Sequence, residues 1–580
     1  MFSKYYHAEL SYMRESGRMY AEKHPSARSL LDERGSDPSV DRLFQVQAFL
    51  AARLRARIDH APEAYREICA AVAPQHLRSL PACSIVEVAP EIGSMRGRRR
   101  LDAGTEMVAK PVDGTACRFR TAAPVDLLPL ALERVVFQGP RTSSPLLQLQ
   151  FFTSMGMKSG VFQPEGIRLF LHGDLAVTTD LWLWLLRYCR GVQVRRLDGE
   201  GEGPTIELGS DAVAPAGLEP GLALLPWPSN GLQGARLLQE FYALPEKLLF
   251  LDIRGLDAAQ AAAGQRFEIA FQFTKPIELQ GPIDEATFRL NCVPVINLFR
   301  ARAKPFAVGE VDREHLLRPE GLPEGHAEVF SVDAVRGKER ENVARAVYQP
   351  IASPQKAARP WMRAHYRVRR ELSVLGDAVD AYLSLGLGHS AKPIPGDEVL
   401  SVDLTCTNAS LPGRLRAGDI ALDDATLQAS YRNIVPVTAP VLPRLSGEIG
   451  WEFVCQRARG VDAFEKASAL LATLALYDFG ARAQEPLHSS RKCIGAIRSS
   501  ETRHIRRYIE GILTLGTRTE LAIDEAAFAS HGEAFLFGSV LQELFASYLT
   551  MSTFTELEMA LLPSGIKLDW AAKQGRLPLA

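Results

Sequence analysis

Apolar residues return along the first sixty positions at the spacing of a helix. Tyr6, Leu10, Met13, Gly17 and Tyr20 fall on one side of a helical wheel, and His24-Pro25 closes the run, because proline cannot continue the hydrogen-bond ladder. Past Asp37-Pro38, a helix-start signal, Leu43, Val46, Leu50, Leu54 and Ile58 form a second stripe, with Arg42, Arg53 and Arg57 expected on the opposite face. A third helix is expected over 63–72. Two long amphipathic helices beside a terminus can pack on the chain's own core or on the helices of a partner, and the pattern alone leaves both open.

From Cys83 the period drops to two. Segments 84–88, 117–121, 146–151 and 167–171 alternate between apolar and polar residues, and each is bounded by Gly, Pro or Asp. That is the signature of strands with one buried face. Positions 178–188 predict one buried helix, and 250–253 and 267–273 predict further strands. A Pro-rich, charged break spans 300–324, followed by strands at 328–332 and 400–406. The tail predicts a helix at 464–477, a strand at 519–523 and a helix at 535–548 that is apolar nearly all round. The fold class is therefore α+β and multidomain. A helical N-terminal arm covers 1–75, a β-rich region with one buried helix 76–300, a second β-rich region 301–460, and a mixed α+β region 461–580.

Charge removes one class of partner. Lys and Arg number 67 against 68 Asp and Glu, so the formal net charge of −1 supplies no general field toward nucleic acid or an acidic membrane. The densest apolar run, 181–186, falls far short of the roughly 20 residues that span a bilayer. No leader-like apolar segment opens the chain. The eight cysteines are scattered without a CxxC pair, which fits reduced, buried thiols better than a disulfide framework or a zinc ribbon. The expectation is a cytoplasmic chain that does not insert in a membrane.

Candidate chemistry is sparse. The sequence has no GxxxxGK[ST] loop, no HExxH and no GxSxG elbow. The glycine-rich run Gly199-Glu200-Gly201-Glu202-Gly203-Pro204 carries two carboxylates that would repel a pyrophosphate, and it leads into a strand pattern. His172 and Asp174 sit two residues apart at a strand end, but a turn stabilised by the aspartate explains them equally. Cys406, in Thr405-Cys406-Thr407-Asn408, lacks a nearby base to activate it. Two basic clusters remain: Arg96, Arg98, Arg99 and Arg100, and Arg363, Arg367, Arg369 and Arg370 interleaved with Trp361, His365 and Tyr366. Such clusters suit single-stranded nucleic acid, a protein interface or a solvated face. No catalytic, cofactor or metal residue emerges, and a glycosidase using paired carboxylates is the enzyme alternative.

Several of these segments resemble one family, in one order, from the first turn to the last thirty residues. They include Tyr5-Tyr6-His7-Ala8-Glu9-Leu10, Pro81-Ala82-Cys83-Ser84-Ile85-Val86, Gly114-Thr115-Ala116-Cys117-Arg118-Phe119, Leu169-Phe170-Leu171-His172-Gly173-Asp174 and Leu237-Leu238-Gln239-Glu240-Phe241-Tyr242 with its continuation to Lys247. Asn291-Cys292-Val293-Pro294, Leu404-Thr405-Cys406-Thr407-Asn408, Leu476-Tyr477-Asp478-Phe479 and Ser552-Thr553-Phe554-Thr555-Glu556-Leu557 complete the series. The chain resembles TssF, the type VI secretion baseplate subunit also called ImpG or VasA. The resemblance implies a structural, non-enzymatic role and a fold similar to the wedge proteins of contractile phage baseplates. Implied partners are TssG, with two copies of this chain to one TssG; TssE, which tethers the wedge to the sheath; TssK, reached through TssG; and the VgrG spike. It also implies recruitment to the inner-membrane-anchored secretion complex. A wedge protein of another contractile system, phage tail or pyocin-like, is the alternative. Within this picture Tyr6, Leu10, Met13, Leu43, Val46, Leu50 and Leu54 are the expected partner interface, packed in an intermolecular helical bundle.

Overall fold

The structure is a computed structural model. It describes residues 2–577 apart from 28–37, 60–68, 71–72, 92–94, 96, 140–143, 154–165, 198–204, 229–230, 257–264, 277, 308–313, 339–346, 352–364, 374–377, 387–398, 425–428, 444, 446–459, 461–463, 480–489 and 510. The expected helix over 63–72 lies largely outside the described residues, and the 199–204 glycine run lies wholly outside them. The chain separates into two compact units, Met1–Ala70 with Leu445–Cys455, and Ala71–Arg444 with Gln456–Ala580.

The smaller unit is a helical hairpin of Phe2–Lys23 and Pro38–Asp59. Its helices pack on each other through small residues: Gly17 and Ala21 on the first and Ala48 and Ala52 on the second are buried, as is Leu10. Side chains this small let two helix axes approach closely. Arg14 closes the hairpin with a 2.8 Å ion pair to Asp41. The face bearing Ala48 and Ala52 is not the expected one. At roughly 100° per residue Arg42 and Arg53 lie beside the Leu43–Val46–Leu50 row, not across from it. Both arginines and all three apolar residues are exposed. Tyr20, expected in the first stripe, is exposed too, and Ala21 takes its place.

In the larger unit the expected strands form; Thr115–Thr121 buries every second residue, whereas Phe250–Ile253 is buried on both faces. A six-stranded sheet runs in the order Ala421–Asp424, Ala429–Asn433, Cys83–Pro90, Cys292–Ile296, Thr115–Thr121, Glu106–Val112. Its inner face buries Val86, Met107, Phe119, Val295 and Tyr431 in one cluster. A five-stranded sheet centres on Arg266–Phe273, between Leu146–Thr153 and Cys189–Arg196. An eight-stranded sheet built on Glu328–Lys338 and Val399–Thr407 has its own cluster around Val335, Leu383 and Val402. Among the described residues, the Pro-rich break at 300–324 contributes short strands, Phe299–Arg302, Phe306–Ala307 and His315–Leu316.

Two buried asparagines join the first and third of these sheets. Asn297 Nδ2 donates to the Arg118 carbonyl at 2.7 Å and to Asn408 Oδ1 at 2.9 Å. The Asn408 backbone N–H donates in return to Asn297 Oδ1 at 2.7 Å, and Arg118 N–H donates to Asn408 Oδ1 at 2.9 Å. Asn297 is bonded at both ends of its amide, which favours this register, while Asn408 uses its oxygen and leaves its buried Nδ2 without a hydrogen-bond partner.

The C-terminal part is organised around one 17-residue helix, His531–Ser547, buried along nearly its whole length. Ser530 caps it, its hydroxyl accepting from Glu533 N–H at 3.1 Å. Two further helices, Leu175–Leu183 and Gln233–Ala243, cross it at glycines. A Cβ on Gly532 would stand 2.2 Å from the Thr179 carbonyl carbon, and one on Gly234 would stand 2.3 Å from the Glu543 carbonyl oxygen. The predicted single helix over 178–188 ends at Leu183 and continues as a wider turn, Trp184–Tyr188. A four-stranded sheet, Ile497–Ile509, Ile512–Asp524, Thr553–Leu562 and Lys567–Gln574, covers the other side of the central helix.

Three charges of this unit form one fully enclosed cluster. Arg236 (Nη1) and Lys247 (Nζ) donate to the two oxygens of Glu240 at 2.8 and 2.5 Å, and all three side chains are fully enclosed. Leu224 and Leu225 N–H donate to the same carboxylate, and Lys247 also reaches the Gly217 carbonyl at 2.8 Å. Burial by itself would raise the Glu240 carboxyl, but Lys247 and Arg236 outweigh it and hold it below the ordinary value.

His76 lies between Tyr477 and Phe479, with ring centroids 5.4 and 5.7 Å away. Burial pushes its imidazole down to about 3. The unfolded ring takes its proton near pH 6.5 and the folded one only near pH 3, so the contribution is complete above 6.5 and is lost as pH falls. The slope is about 1.4 kcal/mol per pH unit in that window. Urea unfolding of wild type and His76→Phe across this range is expected to show the steeper acid loss in wild type, and parallel curves would refute it.

Candidate assembly surface

The residues singled out for chemistry take structural positions. Asp174 is the N-cap of Leu175–Leu183, its carboxylate accepting from Ala176 N–H at 2.9 Å and Val177 N–H at 3.4 Å. His172 is half-buried beside Phe170, and burial lowers its imidazole. Cys406 is enclosed in the eight-stranded sheet, where burial pushes its thiol up to about 12. A thiol so far from ionising at neutral pH is a poor nucleophile. The seven cysteines other than Cys455 are all buried, and none of them is in a disulfide.

The basic clusters are also engaged. Arg98 pairs with Asp126 at 2.6 Å, and Arg99–Leu101 forms a short strand against Val125–Leu127. Arg96 and Arg363 lie outside the described residues. On the strand His365–Leu372, Arg369 binds Glu314 and covers the Tyr382 ring at 4.7 Å. Arg370 is half-buried and donates to the Phe330 carbonyl, and desolvation lowers its guanidinium to about 9. Side chains held this way offer little to a phosphate backbone.

The arm presents a different chemistry. Leu43, Val46 and Leu50 are 60%, 58% and 53% exposed, although each is large and apolar. Phe49, which the sequence pattern did not single out, is exposed beside them, and Tyr12, Met19 and Tyr20 are exposed on the first helix. Of the expected interface residues, Tyr6 and Met13 are half-buried and Leu10 is buried. Leu54 belongs to the same helix as the exposed row. The second helix therefore carries two apolar faces: one of small residues, which closes the hairpin, and one of large residues turned outward. A contiguous outward apolar row marks a binding surface more often than a solvated one.

The sequence profile of the family described as "Type VI secretion system, TssF" matches residues 1–577. The chain belongs to the TssF family. It is 27% identical to the type VI secretion system component TssF1 of Pseudomonas aeruginosa over 99% of both chains. Among solved structures it matches a chain of the type VI secretion TssK-TssF-TssG baseplate subcomplex with a TM-score of 0.76 at 29% identity, covering 93% of this chain and all of that one. It also matches a chain of the type VI secretion baseplate complex with a TM-score of 0.67 at 26% identity, covering 99% of this chain and all of that one. The expected α+β architecture and the resemblance to TssF both hold. TssF-family proteins are baseplate components, and this one shares their fold along its length.

Several TssF-like segments read from the sequence coincide with the buried polar joints. Gly114–Phe119, Asn291–Pro294 with its continuation to Phe299, and Leu404–Asn408 meet at Asn297 and Asn408. Leu237–Lys247 holds the Glu240 triad. No helix among the described residues is long and apolar enough to cross a membrane.

Proposed function

We propose that this chain is the TssF subunit of a type VI secretion baseplate wedge, and that its helical arm docks on a partner's helices. The observation that carries this reading is the row of exposed Leu43, Val46 and Leu50 on a helix whose packing needs within the arm are met by Ala48 and Ala52. Tyr6, Leu10, Met13 and Leu54 complete the proposed arm interface, in part by shaping its frame. TssG and TssK are the proposed partners, supported by the likeness to the TssK-TssF-TssG subcomplex. Two copies of the chain to one TssG, with TssE, the sheath and the VgrG spike beyond them, complete the wedge. In this reading the protein is cytoplasmic, is recruited to the inner-membrane-anchored secretion complex, and contributes geometry instead of turnover. The arm 1–75 is the docking module, and 76–300, 301–460 and 461–580 form the platform it carries.

Co-expression with TssG, with mass determination by light scattering, tests this. A complex containing two copies of this chain is the expected result. A monodisperse monomer that ignores TssG would overturn it.

A further inference from the structure

The terminal hairpin is longer than the helix that covers it. Ile497–Ile509 and Ile512–Asp524 are each 13 residues long and pair throughout their facing length. The neighbouring strand Thr553–Leu562 joins only from Leu515 onward, so the end of the hairpin stands beyond the sheet. Register and alternation identify its two faces. Leu521 pairs across to Met559 and Thr519 to Leu557, and this is the side on which the central helix lies, with Gly538 against Met559 and Trp570. On this side Leu521 and Ile523 are buried.

The same face continues outward through Leu515, opposite Arg506, and Leu513, opposite Tyr508. Here the helix has ended, and Leu515, Leu513 and Tyr508 are 57%, 53% and 76% exposed. Core patterning thus runs past the core. The protein already lays an α-helix across this pleated face, so a second helix meets the same surface shape.

Charge selects the occupant. Arg503 is paired with Glu501 and Arg507 with Glu556. Arg506, on the apolar face itself, has no carboxylate partner among the described residues. A second copy placing its own hairpin here would bring arginines against arginines, which disfavours self-pairing.

We propose that the hairpin tip is a docking site for an amphipathic helix of TssG that bears an acidic residue beside its apolar row. This rests on the baseplate reading above. The test uses the full chain co-expressed with TssG and TssK, with p-benzoyl-phenylalanine in place of Leu515 or, on the opposite face, of Thr514. Irradiation is expected to give an adduct from position 515, mapped by mass spectrometry to a helix of TssG with a neighbouring Asp or Glu, and much less from position 514; an adduct with TssK instead would overturn the proposal. Arg506→Glu should cut the adduct about tenfold and Arg506→Lys should retain it. Adducts between two copies of this chain, equal yields at both positions, or no interchain adduct in a complex that forms would each overturn the docking site and leave the baseplate reading standing. Failure of any complex to form would remove both.

Discussion

Leu50→Asp is expected to leave the folded chain almost untouched and to abolish its assembly. Leu50 is half exposed in the chain alone, so an aspartate there stays hydrated, and unfolding free energy should shift by no more than about 0.5 kcal/mol. In the docked arm the same carboxylate would be buried without a partner among Leu43, Val46 and the facing helix. That costs at least about 3 kcal/mol of association, a loss above a hundredfold. Thermal unfolding and copurification with TssG read the two quantities separately. The pairing of a normal melting curve with lost copurification is the expected signature. A substituted protein that copurifies as wild type would remove the arm from the interface, and one that melts early would show the row to be internal packing. Ala48→Asp supplies the contrast, because Ala48 is fully buried and its replacement should unfold the hairpin itself.

The second large effect lies in the platform. Glu240→Gln keeps the shape of the side chain and removes its charge, leaving Arg236 and Lys247 enclosed with no anion. Breaking one member of a buried ionic cluster costs about 3–5 kcal/mol, a large part of the stability of any domain. The measurement is urea unfolding alongside soluble yield, and a change below about 1 kcal/mol would show that water or a relaxed backbone replaces the carboxylate. The pH dependence has a definite sign. The folded Glu240 carboxyl lies below its ordinary value of 4.5, so its contribution is complete above that pH and is lost as pH falls further through the folded value. Glu240→Gln should therefore be least different from wild type in acid.

The legible parts of the fold were those with one wet face and one dry face. Thr115–Thr121 buries alternate residues, and period two states that directly. Gln233–Ala243 carries a helical stripe of Leu237, Leu238, Phe241 and Tyr242, but its polar face, with Arg236, Gln239 and Glu240, is buried as well, and the pattern does not show that. Ile497–Ile509 failed for the opposite reason. Exposed along much of its length, it alternates Arg, Ser, Thr and His in place of apolar residues.

The arm shows a subtler limit. Both helices were readable, but the largest apolar side chains do not make the contact between them. Closely packed helices select Gly and Ala, which carry almost no weight in a hydrophobic pattern, so the conspicuous row was the one left over. The Glu240 triad was invisible because charges four and seven residues apart look like an ordinary solvated helix face. Family resemblance marked that segment, and the structure gives the chemistry behind the mark.

The central position of Cys83–Pro90 in its sheet has a consequence for biogenesis. Its neighbours are Cys292–Ile296 on one side and Ala429–Asn433 on the other, so the sheet cannot close until the chain has been made past residue 433. The arm's two helices, Phe2–Lys23 and Pro38–Asp59, pack on each other and can pair early, although the compact unit they belong to also takes in Leu445–Cys455. At about 5–20 residues per second, the interval between completing the arm and completing the sheet is on the order of tens of seconds. During that time the ribosome displays a paired helical hairpin with Leu43, Val46 and Leu50 turned outward, ahead of an unfinished sheet. Synthesis close to a partner protein therefore allows capture of the arm before release, and shortens the exposure of an apolar surface to every other nascent chain in the cell.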